Sequence, residues 1–343
     1  MVTRFSSFAS SPRLAMPDDA GSIRAAVEEL LSTAGYERAA ADPDEPFACG
    51  VLHDGPSTPP LADSVAELRD LLKTEMASWP AAASREGHAH MDDLTLLRFL
   101  QARPAGTSAA AAMFRESMAW RSSDGRGVGR LFAAYHPRAP PTPSNEAGRA
   151  HFYGGLAGFS LAGEPLLVER LGRVDLAGIA REGEPLHGCV LDSYVVHLET
   201  AFRAVRAASA ASGRLVKATM VIDASEFGLS TLRHVGQIKT IASIGPPNYP
   251  EITRAVLIVN APRCASAAWA LIGPLLPQAT RDKVRVLSSA ATPAALAQLA
   301  DGAELPAFLG GSKPEAECLV ARAERVPEGL SEQLLAALAH AGR

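Results

Sequence analysis

Ala218-Thr219-Met220-Val221-Ile222-Asp223 and, one helix further on, Ala255-Val256-Leu257-Ile258-Val259-Asn260-Ala261-Pro262 are the two runs on which the fold turns. Each is a short apolar run closed by polar or turn-forming residues, the signature of a strand. The second has no polar alternation, which predicts a strand buried on both faces. Between them Leu232, Val235, Ile238 and Ile241 recur at helical spacing and predict a helix over residues 229–244. Upstream, Leu166-Leu167-Val168-Glu169-Arg170 follows the turn Ala162-Gly163-Glu164-Pro165 as a strand, and residues 191–208 read as a helix. Downstream come a helix over 265–272, a turn at Thr280–Asp282 and a strand over 284–287. The order βαβαβ predicts an α/β lobe with a mainly parallel sheet.

Outward from that lobe the chain is helical. Ile23, Val27, Leu30 and Leu31 share a stripe, as do Val65, Leu68, Leu72 and Met76 in a helix over 63–78 closed by Pro80. Asp92 or Asp93 can cap a helix carrying Leu94, Leu97 and Leu100, and Thr107 or Ser108 starts another through Met113, Ser117 and Trp120. Asp124–Gly129 reads as a glycine-rich turn, and the prolines of residues 137–143 mark a boundary. The expected division is a poorly ordered tail, short helix and linker over 1–62, a helical unit over 63–136, the main domain over 144–312 and a helical tail over 313–343.

The 343 residues are 47% hydrophobic and 20% charged, which excludes wholesale disorder. Lysine and arginine number 33 against 37 acids, a net charge of −4, so nucleic acid is not the expected partner. The four cysteines, 49, 189, 264 and 318, have neither zinc-knuckle nor redox spacing and read as free thiols. The longest apolar run, Ala265–Leu276, is broken by Gly273-Pro274 and is shorter than the roughly 20 residues a membrane span needs. Arg4, Arg13, several serines and no acid before Asp18 fit a transit peptide, but an unstructured tail and a cytoplasmic protein are the expectation.

A conventional catalytic centre is hard to assemble. The nine histidines form no HExxH pattern, His197 and Glu199 lack helical i, i+4 spacing, and Ser160 sits in a glycine frame one residue too long for a nucleophile elbow. Gly125-x-Gly127-x-Gly129 follows no strand, and Gly310-Gly311-Ser312-Lys313 is the end of a phosphate loop without its beginning. Asp223 closes a strand, where α/β enzymes often place catalytic groups, but a turn acceptor near Ser225 is the preferred role. No metal site or cofactor is expected. Arg263 is the only charge between Ala255 and Leu276, and Ala265, Ala268, Trp269, Ile272 and Leu276 form one apolar side. That helix suits either an ordinary core or a movable lid hinged at Gly273-Pro274.

Taken in order, several pieces resemble the CRAL-TRIO family, in particular its phosphatidylinositol/phosphatidylcholine transfer proteins. They are Leu94-Thr95-Leu96-Leu97-Arg98-Phe99-Leu100-Gln101-Ala102-Arg103, Val168-Glu169-Arg170-Leu171-Gly172, Val221-Ile222-Asp223, Asn248-Tyr249-Pro250-Glu251, Ile258-Val259-Asn260-Ala261-Pro262 and Glu304-Leu305-Pro306-Ala307-Phe308-Leu309-Gly310-Gly311. The resemblance spans residues 63–312. It implies a helical N-terminal unit packed on a lobe whose sheet encloses an apolar lipid cavity, with the helix after Pro262 as a gate. Ala265, Ala268, Trp269, Ile272 and Gly273 are then the gate.

The resemblance also implies a headgroup site. Arg103 stands for the family's basic pair, whose second member is Pro104 here, and Glu251 and the Thr280-x-x-Lys283 pattern complete the phosphoinositol set. The family's phosphatidylcholine positions match Leu156, Leu167, Ala218 and Met220, all without hydroxyls, and these are expected to line the cavity. The expected function is that of a soluble, monomeric lipid carrier, not an enzyme. It would hold one phospholipid, phosphatidylinositol, and visit membranes transiently, while residues 1–60 are available to a protein partner. The competing readings are a lipid-sensing adaptor, a carrier of a sterol or isoprenoid, and an α/β enzyme using Asp223 and His234.

Overall fold

The structure, a computed structural model, describes residues 20–30, 61–77, 93–122, 125–136, 139–174, 176–182, 184–212, 215–228, 231–276, 278–314 and 319–321. The expected tail before residue 20, the linker over 39–60 and most of the expected C-terminal tail lie outside them.

Helix α1 (Ala20–Leu30) buries Ile23 and Val27, one turn apart, in the core of the main lobe. The expected helix over 63–78 is two, α2 (Leu61–Leu71) and α3 (Lys73–Ala77), parted where the Leu72 amide is shared between the carbonyls of Leu68 and Arg69. Helices α4 (Asp93–Ala102) and α5 (Thr107–Arg121) complete the unit. Val65, Leu68 and Leu72 meet Leu96, Phe99 and Phe114 in one cluster, the last two rings edge to face at 5.0 Å. Between this unit and the sheet, two helices escape the sequence reading. The glycine turn hands over to α6 (Val128–Tyr135), with Gly127 left-handed at its N-cap, and α7 (Pro143–His151) starts in the proline-rich stretch. Thr142 and Asn145 form a reciprocal capping box there, and Pro143 occupies the position where a missing N–H does no harm.

The sheet has six strands, ordered from one edge to the other as the fifth, fourth, third, second, first and sixth in the chain. Strand β1 (Gly154–Phe159) was not predicted, because Gly-Gly-Leu-Ala-Gly-Phe has no β-branched residue. It runs antiparallel to β2 (Pro165–Arg170). After α8 (Leu176–Glu182) and the long α9 (Glu184–Ser212), the parallel strands β3 (Ala218–Asp223), β4 (Thr253–Val259) and β5 (Val284–Val286) follow. They alternate with α10 (Val235–Asn248), α11 (Arg263–Ile272) and the short α12 (Gln278–Arg281). Helix α13 (Thr292–Leu299) comes next. Residues 319–321 form β6 beside β1, which corrects the expectation of a helical tail at that point.

The two faces of the sheet differ. Leu166, Val168, Val221, Leu257 and Val259 point to the face closed by Leu296 of α13, together with Leu305 and Leu309. On the other face α9 and α1 lie over β1 and β2, packing Leu156 and Leu167 against Val190 and Leu198. Strands β3 to β5 extend beyond that cover. The expectation that β4 is buried on both faces therefore fails. Leu257 and Val259 are buried on the α13 side, while Val256 and Ile258 are only half-buried on the other.

The helical unit is tied to α9 by charge as well as by apolar contact. Arg121 of α5 and Arg203 both bond the carboxylate of Glu199, and all three are buried. Burial alone would raise the Glu199 pKa, but the two guanidinium groups outweigh it and hold the carboxyl below its usual range. Removing one partner of such a network leaves buried charge uncompensated, so Glu199→Ala is expected to destabilise by about 3–5 kcal/mol in urea unfolding. A loss under about 1 kcal/mol contradicts this account.

Candidate functional site

Beneath α11 lies a cavity of about 420 Å³, within the range of about 300–1,000 Å³ typical of ligand sites. Its floor is the uncovered part of the sheet. Strand alternation puts Met220 and Ile222 on one face of β3, paired in register with Val256 and Ile258 of β4, and Val284 of β5 lies opposite Val256. Ile238 and Ile241 of α10 form a wall, and Trp269, Ile272 and Leu276 form the roof.

One end of the cavity is charged. Glu251 sits in the loop before β4 at φ 54°, left-handed backbone that a non-glycine residue adopts only when held there. Arg98, fully buried on α4, does the holding. Its Nη1 donates to the Glu251 carbonyl at 2.6 Å, and its Nη2 donates to the Val216 carbonyl at 2.7 Å and to Ser209 Oγ at 3.1 Å. The Glu251 carboxylate accepts from Lys217 and, at 3.1 Å on both oxygens, from Lys283 Nζ. Burial would raise its pKa, but the two lysines prevail and hold it below the ordinary glutamate range. Arg103, exposed at the end of α4, and Thr280 of α12 line the same cavity. The four headgroup residues named from sequence therefore share one cavity. Lys217 was not named, because nothing in its sequence surroundings marks the residue before β3 as a partner for one 34 positions on.

The other named residues divide. Met220 lines the cavity, whereas Leu156, Leu167 and Ala218 are packed into the core. They share the cavity's side of the sheet, but α9 fills the space in front of them. In the gate, Trp269 and Ile272 face the cavity. Ala265 and Ala268 instead seat α11 against Ala224, Phe227 and Ile258. Gly273 continues α11 into a 3-10 turn, and its α-carbon faces the Trp269 ring, which a β-carbon would meet at 3.4 Å. Asp223 takes the turn role. It accepts from the Ser225 amide at 3.1 Å, from Ser225 Oγ at 3.0 Å and from Asn260 Nδ2 at 3.0 Å, with Arg170 at 3.4 Å. His197 is buried beside Glu169, with Nε2 3.0 Å from Oε1.

A family model described as CRAL/TRIO domain matches residues 150–311. The chain is 31% identical over 226 residues to the Sec14 cytosolic factor of Schizosaccharomyces pombe, covering 65% of this chain and 75% of that protein. The chain belongs to the CRAL/TRIO family. This CRAL/TRIO chain is also 29% identical over 231 residues to the SEC14 cytosolic factor of Eremothecium gossypii, with 66% and 71% of the two chains covered. It is 27% identical over 229 residues to a phosphatidylinositol/phosphatidylcholine transfer protein of Arabidopsis thaliana, of which it spans 39%. Among the described residues of this CRAL/TRIO chain, no helix is long and apolar enough to cross a membrane.

The lysine cradle has a pH signature. Glu251 is depressed in the folded state, so its contribution to stability is present above the unfolded value of about 4.3 and lost as pH falls through the lower folded value. The stability difference between wild type and Glu251→Gln, read from urea unfolding, should be full near pH 6 and shrink below about pH 4.3. A difference that stays constant down to about pH 3 refutes the ion-pair account.

Proposed function

We propose that this chain is a lipid carrier that takes one phospholipid, phosphatidylinositol, into the cavity and exchanges it at membrane surfaces by lifting α11. One observation carries the reading: an apolar cavity of about 420 Å³ whose charged end holds Glu251 and Lys283 3.1 Å apart. Each methylene hidden from water contributes about 0.8 kcal/mol, so acyl chains leave a bilayer only for a comparably apolar space. The head must keep polar partners, since burying it unpaired costs several kcal/mol. Met220, Ile222, Val256 and Ile258 supply the first condition.

For the second, Arg103 and Lys283 bring positive charge to a phosphate, Thr280 brings a hydroxyl, and Glu251 accepts from a ring hydroxyl or orients Lys283. When α11 lifts, Trp269, Ile272 and Leu276 lose their cover and are presented to the bilayer surface. The relatives named as phosphatidylinositol/phosphatidylcholine transfer proteins support the carrier reading. A role at the cytoplasmic face of membranes, as a monomer with no resident cofactor and no catalysis, goes with it.

The protein's second lipid, on this reading, is more apolar than phosphatidylcholine, because Met220 offers no hydroxyl to a choline phosphate and Leu156, Leu167 and Ala218 are sealed in the core. Mass spectrometry of lipids that co-purify with the full chain is expected to find phosphatidylinositol; phosphatidylcholine as the dominant species rejects this. In donor-to-acceptor liposome transfer, Lys283→Ala is expected to slow phosphatidylinositol movement at least about tenfold, the loss of one charge-assisted contact. Lipid binding without any transfer by wild type would replace the carrier with a sensor.

A further inference from the structure

Two carboxylates are among the described residues that line the cavity, and they are held differently. Glu251 has its two lysines. Glu169 does not, although it is only 9% exposed. It stands on the cavity side of β2, in register with Ile222 of β3, which faces Ile258 of β4. Glu251 precedes β4, between Lys217 before β3 and Lys283 before β5, so the two carboxylate ends are two strand spacings of about 4.8 Å, or about 10 Å, apart across the sheet. The floor between them is apolar.

Beside Glu169 stand His197 and Tyr194. His197 Nε2 is 3.0 Å from Oε1, yet the two are not aligned for a hydrogen bond. Oε1 and both imidazole nitrogens are buried and make no hydrogen bond among the described residues. Tyr194 also lines the cavity, its ring 6.2 Å from that of His197 and 5.7 Å from that of Phe152. Burial and the neighbouring Glu169 charge keep its hydroxyl protonated. The cations that line the cavity, Arg103 and Lys283, belong to the Glu251 end.

A carboxylate acceptor beside a tyrosine donor in the cavity lining, with no lining cation at that end, defines a ligand group. A phosphate would set anionic oxygens against a carboxylate with no lining cation at that end. An ammonium donates but cannot accept from the tyrosine. A hydroxyl does both.

We infer that Glu169 and Tyr194, with His197 packed behind Glu169, form a second polar site in the cavity, for the free hydroxyl of an uncharged, phosphate-free lipid. The inference rests on the carrier reading and gives the second ligand a chemical class. Glycerolipid and sterol skeletons both present such a hydroxyl, and the test separates them.

The purified full chain is incubated with phosphatidylcholine vesicles carrying a radiolabelled lipid, and protein-bound label is counted. The labels are dioleoylglycerol, cholesterol, the O-methyl ether of each, stearylamine and phosphatidylinositol. At least one hydroxyl lipid should be extracted about tenfold or more over its methyl ether, because a site built around a hydroxyl rejects the analogue that cannot donate. The skeleton that discriminates names the source. Glu169→Leu should bring that ratio to about one, with its melting temperature confirming that the variant is folded. Equal extraction of hydroxyl and ether by wild type overturns the inference without reference to any variant, as does failure to extract either hydroxyl lipid. Stearylamine extracted in preference to both overturns the hydroxyl assignment. Phosphatidylinositol reads the carrier function separately: its absence, with ether discrimination intact, removes the phosphatidylinositol reading and leaves this site standing.

Discussion

The sheet carries more apolar surface on one face than α9 and α1 fill, and the cavity follows from that mismatch. Helix α9 lies over β1 and β2 and fills the space in front of Leu156 and Leu167, but β3, β4 and β5 run on past its edge. There Met220, Ile222, Val256 and Ile258 face a space walled by α10 and roofed by α11. Side chains that would normally interdigitate to interior density stand apart instead. An unfilled apolar space forfeits dispersion contacts, and a fitting apolar guest restores them.

Position as well as charge sets the polar end. Arg98 touches the Glu251 backbone, the Val216 carbonyl and Ser209, so one guanidinium links the helical unit, the end of α9 and the approach to β3. Lys217, next to Val216, then meets the same glutamate. The backbone strain at Glu251, in a region that non-glycine residues avoid, is over-determined by these bonds. The N-terminal helices thus help to build the charged end of the cavity, and Arg103, which follows α4, lines it beside Glu251 and Lys283.

How much of this was legible depends on the range of the cause. Strands β3 and β4 and helix α11 could be read because their apolar runs are local and bounded. The six ordered blocks from Leu94 to Gly311 carried the family resemblance, and through it Glu251 and Lys283. Strand β1 was hidden because Gly154, Gly155 and Gly158 suppress every local strand signal. The cavity role given to Leu156, Leu167 and Ala218 failed for a different reason. Alternation correctly assigns a face, but which helix covers that face depends on where α9 crosses the sheet.

The sequence by itself determined the α/β class, the parallel core of the sheet and the apolar side of α11, because periodicity and turn chemistry act over a few positions; the headgroup residue types came only through the family resemblance. Tertiary structure alone decided that the sheet is half uncovered and that Arg98 pins Glu251 between Lys217 and Lys283. It alone brought His197 to Glu169. Those outcomes come from contacts between segments tens of residues apart, and their energetics depend on burial and distance, which no local pattern encodes.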